Sequence, residues 1–141
     1  MHIKSLNIAN FKSFRQADIE LGRFNVLIGP NASGKSNFIQ LFRFLREIIS
    51  DGLDNAISLQ GGVEYIRNLN LLSEKDMLEF HISLVPDGDR GFTIPKNDIK
   101  YIAVLNCFEY SFKLAFGKDH YKVKKDKALA CYDFYLKKAD K

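Results

Sequence analysis

Apolar and polar positions alternate from His2 to Ile8, with Ile3, Leu6 and Ile8 apolar, and this period of two predicts a first strand. Ala17-Asp18-Ile19-Glu20-Leu21 alternates as cleanly and predicts a second strand with one exposed face. Gly22 breaks it, and the nearly continuous apolar run Phe24-Asn25-Val26-Leu27-Ile28 predicts a third strand, more buried, at the centre of a sheet. From Lys35 to Ile49 the apolar positions fall at helical spacing, and Ser50-Asp51-Gly52 supplies a stop. Residues 53–72 read as one or two short helices around the Gly61-Gly62 break. Leu78 to Val85 alternates again and ends at a Pro86-Asp87-Gly88 turn. From Ile99 onward β signals dominate: Tyr110, Phe112, Leu114 and Phe116 share one face, with Ser111, Lys113 and Ala115 on the other. Gly117-Lys118-Asp119 is a turn, Tyr121 onward returns as a hairpin strand, and Leu129 to Leu136 is expected to extend the pair into a meander.

Between the third expected strand and the helix stands Gly29-Pro30-Asn31-Ala32-Ser33-Gly34-Lys35-Ser36, an intact G-x-x-x-x-G-K-[ST] phosphate-binding loop in the strand–turn–helix setting that the motif requires. Gly29 and Gly34 permit the torsions that turn successive N–H groups inward around an anion. The positive end of the following helix faces the same point. Lys35 is placed to reach β- and γ-phosphates, and the Ser36 hydroxyl to ligate Mg²⁺. The motif predicts a chain that holds a nucleoside triphosphate.

Composition adds bounds. At 141 residues, 46% hydrophobic and 13% aromatic, the chain is one folded domain's worth. Met1 to Phe14 has no continuous apolar stretch, so no signal peptide is expected, and no window approaches the roughly 18 apolar residues of a membrane span. Cys107 and Cys131 lie far apart without a C-x-x-C, and are expected as reduced thiols in a cytoplasmic protein. His2, His81 and His120 show no ligand spacing, so no metal is expected beyond the nucleotide's Mg²⁺. Charge is uneven: residues 1–95 carry 10 basic and 11 acidic side chains, whereas residues 96–141 carry 11 lysines and 6 acids. Those lysines are interleaved with acids along strands, which favours a solvated sheet face over a nucleic-acid surface.

Asn10-Phe11-Lys12-Ser13-Phe14, a second strand, and then Phe24 to Asn37 together resemble the start of the ABC-like AAA-family ATPases that include the SMC, RecF and OLD proteins. Gly61-Gly62-Val63-Glu64-Tyr65-Ile66-Arg67-Asn68 is similar to the Gly-Gly stretch of the shorter, RecF-like members, so the clear resemblance covers residues 1–70. The resemblance implies a two-lobed head that sandwiches ATP between two heads. It implies that Asn31, Gly34, Lys35, Ser36 and Asn37 contact ATP, that Gly29, Pro30, Ala32 and Ser33 complete the loop, that Ser36 meets Mg²⁺, and that Lys12 approaches the nucleotide. Ala32 stands where many members have Gly.

The family's hydrolytic parts, a signature segment of the L-S-G-G-Q kind and a Walker B strand ending in Asp-Glu, have no match. Ser58-Leu59-Gln60-Gly61-Gly62 has the wrong order and place, and Ile102-Ala103-Val104-Leu105 is followed by Asn106 rather than an acid. The expectation is an α/β fold of the P-loop NTPase, ABC/RecF-like type. It is the first (N-terminal) lobe only, 1–141, with a P-loop core (1–75), a β-rich portion (76–141) and the distal lobe absent. A mixed sheet is expected around the loop-bearing helix, with an antiparallel portion in the C-terminal half.

Weak ATP binding with negligible hydrolysis is expected without the second lobe, in a chain whose complete form acts in DNA repair or anti-phage defence. Its partners would be the missing second lobe or a second ATPase head, DNA through the complete protein, and a nuclease or effector. Marginal solubility is expected of a sheet lacking neighbours. Two rivals remain. One is a non-catalytic lobe that docks on another chain through unpaired sheet edges. The other is a small-molecule P-loop kinase, which needs a lid of arginines, whereas Arg15, Arg23, Arg43, Arg46, Arg67 and Arg90 all precede the β-rich tail.

Overall fold

The computed structural model describes residues 1–68, 77–88, 91–96, 99–117 and 120–137. Six strands and three helices are present among them: β1 (His2–Phe11), β2 (Phe14–Glu20), α1 (Lys35–Asp51), α2 (Leu53–Leu59), α3 (Val63–Ile66), β3 (Leu78–Val85), β4 (Gly91–Lys96), β5 (Ile99–Phe116) and β6 (Tyr121–Lys137). The strands form one sheet in the order β2-β1-β3-β5. β4 pairs Ile99–Val104 of β5, in line with β3 on Phe108–Leu114, and β6 runs along the other side of β5. Every ladder is antiparallel. The sheet therefore spans both the 1–75 and 76–141 portions.

Alternation decides the layers. Leu6 and Ile8 of β1, Phe80 and Ile82 of β3, and Phe112 and Leu114 of β5 are buried on one face, where Leu41 and Phe44 of α1 join the same core. Phe80 stacks on Phe112 at 6.3 Å, and Phe11 bridges β1 to α1, 5.9 Å from Phe44 and 5.6 Å from Phe80. The opposite face is polar and in register. Asn7 donates to Asp18 at 2.5 Å, His81 meets Ser111 at 2.9 Å, and Lys113 pairs with Glu79 at 2.6 Å. Lys122, Lys124 and Lys127 of β6 are exposed, as a solvated face requires.

Three expectations change. Phe24–Ile28 belongs to no ladder and is exposed, Phe24 by 85% and Ile28 by 88%. A strand apolar on both faces holds only where neighbours accept its N–H and C=O groups and cover it. The described strands pair with one another instead, so the run lies outside the sheet and the expected mixed sheet is antiparallel throughout. Leu129–Leu136 is not a separate strand of a meander, because β6 runs unbroken from Tyr121. The residues between Gly91 and Lys96, not anticipated as a strand, are recruited by β5, whose length exceeds that of β3. Residues 69–72 and the Lys118-Asp119 centre of the expected turn lie outside the described residues.

Candidate functional site

The Asn10–Phe14 segment forms the β1–β2 turn, and the chain folds it against the end of the Gly-Gly stretch. Lys12 N–H donates to the Ile66 carbonyl at 3.0 Å, Asn68 N–H to the Asn10 carbonyl at 3.1 Å, and the Asn10 amide to the Met77 carbonyl at 2.7 Å. These bonds hold Asn10 and Lys12 at left-handed torsions, φ 60° and 47°. The Gly61-Gly62 pair ends α2 in a Schellman arrangement: Gly61 N–H donates to the Ser58 carbonyl and Gly62 N–H to the Ile57 carbonyl, each at 2.9 Å. Both glycines have positive φ, 96° and 105°. Ser58-Leu59-Gln60-Gly61-Gly62 is thus a helix stop.

The phosphate loop leads into α1 at Gly34, φ 93°, whose missing Cβ would stand 3.3 Å from the Ser13 hydroxyl and 3.6 Å from the Phe14 ring. The β1–β2 turn thereby abuts the start of α1, and Asn37 donates to Ser13 at 2.7 Å. Ala32 is also left-handed, φ 65°. The first turn of α1 has neither a side-chain cap nor an acid, which leaves its amides for an anion. The Lys35 ammonium folds into the loop and donates to the Gly29 and Pro30 carbonyls at 2.6 and 2.5 Å, with the Ser33 hydroxyl at 3.4 Å. Gly29 to Ser33 and Ser36 are exposed. A nucleotide's phosphates fit this donor set, a lysine and the uncapped amides at the start of α1. Ser36 is the second residue of α1 and is exposed.

Lys12 lies apart from that loop in a network the sequence did not disclose. Its ammonium donates to Gln40 at 2.5 Å and Gln60 at 3.0 Å. Gln60 in turn donates to Glu47 at 2.9 Å, and Arg43 Nε donates to the other carboxylate oxygen at 2.8 Å. Burial lowers the Lys12 pKa, opposed by the Glu47 charge. Glu47 is only 4% exposed. Burial pushes it upward, but hydrogen bonds from Gln60 and Arg43 and the charges of Arg43 and Arg46 outweigh that, so it stays ionised below its ordinary range. Glu47 lies on the buried stripe of α1 with Leu41 and Phe44, and a charge at a core position is the sequence signal by which it could have been found. Lys12 and Asn37, with Ser13, Gln40, Tyr65 and Arg67, line an open cleft of about 650 Å³ beside the start of α1. The structure thus brings Lys12 and Asn37 to one cleft, whereas Gly29 to Ser36 form the loop beside it. Among the described residues no group of three or more His, Cys, Asp or Glu is gathered as for a metal, and no helix is long and apolar enough to cross a membrane.

The chain is 25% identical over 118 residues to the DNA replication and repair protein RecF of Nostoc punctiforme, covering 79% of this chain and 32% of that protein. It is 32% identical over 116 residues to the endonuclease GajA of Bacillus cereus, covering 77% of this chain and 20% of GajA. RecF of Clostridium beijerinckii is 25% identical over 132 residues, 89% of this chain and 35% of that RecF. The chain therefore spans about a third or less of the length of these curated relatives. Residues 24–132 match the family described as "AAA domain, putative AbiEii toxin, Type IV TA system". The chain belongs to this AAA-domain family, and within it to the ABC-like ATPase heads of RecF and OLD type.

Proposed function

We propose that this chain is the nucleotide-holding first lobe of an ABC/RecF-type ATPase head. ATP would be held by Asn31, Gly34, Lys35, Ser36 and Asn37, with Gly29, Pro30, Ala32 and Ser33 shaping the loop, Ser36 on Mg²⁺ and Lys12 flanking the nucleotide. Bound Mg²⁺ would supply charge neutralisation between β- and γ-phosphates. The observation that carries this reading is the Lys35 ammonium, held only by loop oxygens at the uncapped start of α1. When phosphates enter, Lys35 exchanges two carbonyls for a charged partner, a stronger bond.

The exposed apolar run Phe24–Ile28, together with Ile39 and Ile49 exposed by 63% and 86% on α1, supports a second lobe that covers them in the complete protein. That lobe would bring the water-orienting carboxylates. Ile102–Leu105, an apolar run followed by Asn106 rather than an acid, lies in the antiparallel β5 and ends at the Asn106 bulge. Hydrolysis by this chain alone is therefore negligible. By likeness to RecF and GajA, the complete protein would act on DNA with a partner head or nuclease in repair or phage defence. A second reading, a lobe that docks on another chain, is favoured by β6, which among the described residues pairs with β5 alone and exposes Phe134 by 63% and Leu136 by 67%.

The test is Mg²⁺-dependent ATP binding by calorimetry, with Lys35→Ala as control and turnover assayed on the same sample. Binding that disappears in the variant, without turnover, is expected. No binding by the wild type would favour the docking reading, and turnover by the pure chain would overturn the need for a second lobe.

A further inference from the structure

Cys107 and Cys131 are 24 residues apart in sequence, yet the β5–β6 ladder sets them directly opposite one another. Opposed residues of antiparallel strands have Cα atoms about 4.5–5.5 Å apart. A disulfide requires about 4.4–6.8 Å. Both thiols are free and half-buried, so a small disulfide reagent can reach them. Their place in the ladder is particular. Leu105 pairs with Tyr132 and Cys107 with Cys131, so Asn106 is an extra residue and the cysteines form the first pair on the turn side of that bulge. Beyond the bulge lies the end of the hairpin that carries Tyr132, Phe134 and Leu136, where a one-residue slip would exchange the two faces.

We propose that Cys107 and Cys131 are a redox modification site, forming a reversible intrachain disulfide that pins the β5–β6 register at the Asn106 bulge. The oxidant is a disulfide of low molecular mass, of the glutathione disulfide class. One cysteine thiolate attacks a sulfur of the oxidant, forming a mixed disulfide and releasing one reduced thiol. The second cysteine, as thiolate, attacks the protein-bound sulfur and releases the other reduced thiol. The two cysteines lose two electrons and two protons, and the oxidant gains them. The facing Cys107 thiol, with burial and the Glu109 and Asp133 charges, raises the Cys131 thiol above its ordinary pKa, as expected of two cysteines opposed in the ladder. The site lies on the hairpin, away from the phosphate loop, and does not depend on nucleotide binding.

The experiment equilibrates the chain in mixtures of reduced glutathione and glutathione disulfide, followed by thiol titration and mass spectrometry of a non-reducing tryptic digest. The expected product joins the 101–113 peptide to the 128–137 peptide, with both thiols lost together. Cys107→Ser and Cys131→Ser should each accumulate a stable glutathione adduct instead. Two separate adducts on the wild type, links between chains, or thiols that persist in excess oxidant would overturn the proposal. Because a variant can misfold, hydrogen exchange on wild type alone is the second measurement. Oxidation should slow exchange in 99–105 and 132–137, and unchanged exchange there would refute the pinning of register.

Discussion

Replacing Phe11 by Ala tests whether the β1–β2 turn is locked to the helix layer by one ring. Phe11 is fully buried and meets Phe44 and Phe80 at 5.9 and 5.6 Å. Truncating a buried Phe costs about 3–5 kcal/mol. Two ring–ring contacts, each worth about 0.5–1.5 kcal/mol beyond burial, place this site in the upper part of that range, about 4–5 kcal/mol. A domain's total stability is about 5–15 kcal/mol, so the variant loses a large fraction of it. The flanking Asn10 and Lys12 keep their left-handed torsions only while the turn is held against Ile66 and Asn68, so the lock on Gly34 loosens as well. The chain has no Trp, and urea unfolding is therefore followed by far-ultraviolet circular dichroism, with Phe11→Leu as a milder companion. A loss below about 1.5 kcal/mol for Phe11→Ala, with unchanged slope, would refute the argument that this ring joins sheet and helix.

Glu47 has a lowered pKa, so its contribution is fully present above the ordinary value of 4.5 and is lost as pH falls through the folded value. Glu47→Gln should cost about 1.5–3 kcal/mol at pH 7 and converge with wild type in acid, and a parallel pair of stability–pH curves would contradict this. The Tyr110 phenol is raised to about 12 by burial, with Asp126 adding to it. An ultraviolet titration of the six tyrosines should show this one ionising late, stability falling above pH 10, and Asp126→Asn bringing it back toward 10. Gly61→Ala places a Cβ 3.2 Å from the Tyr65 ring at φ 96° and should cost about 1–2 kcal/mol, read as a lower urea midpoint.

Much of the local structure was legible because its causes are local. Alternation at Leu6-Ile8, Leu78–Val85 and Tyr110–Phe116 marked strands and their inner faces, since the strand period alone sends alternate side chains to one side. The loop from Gly29 to Ser36 and the start of α1 were equally plain, because a motif's spacing is carried by the chain itself. The N-F-K-S-F and Gly-Gly segments identified the family, but their shared purpose, a turn bonded to the stretch after a helix stop, required the backbone contacts of Lys12 with Ile66 and Asn68 with Asn10.

Pairing was another matter. Nothing in Phe24–Ile28 says whether a neighbouring strand is present, and an apolar run with no partner stays outside the sheet. The Lys12–Gln60–Glu47 network joins a turn and two helices, and the Cys107–Cys131 pair spans a hairpin. The sequence by itself determined the element types wherever alternation or helical spacing was clear, the phosphate-loop motif and the resemblance to the family. Only the tertiary structure decided which strands are neighbours, which charge is buried and which cysteines stand opposite one another, because those depend on contacts between residues distant along the chain.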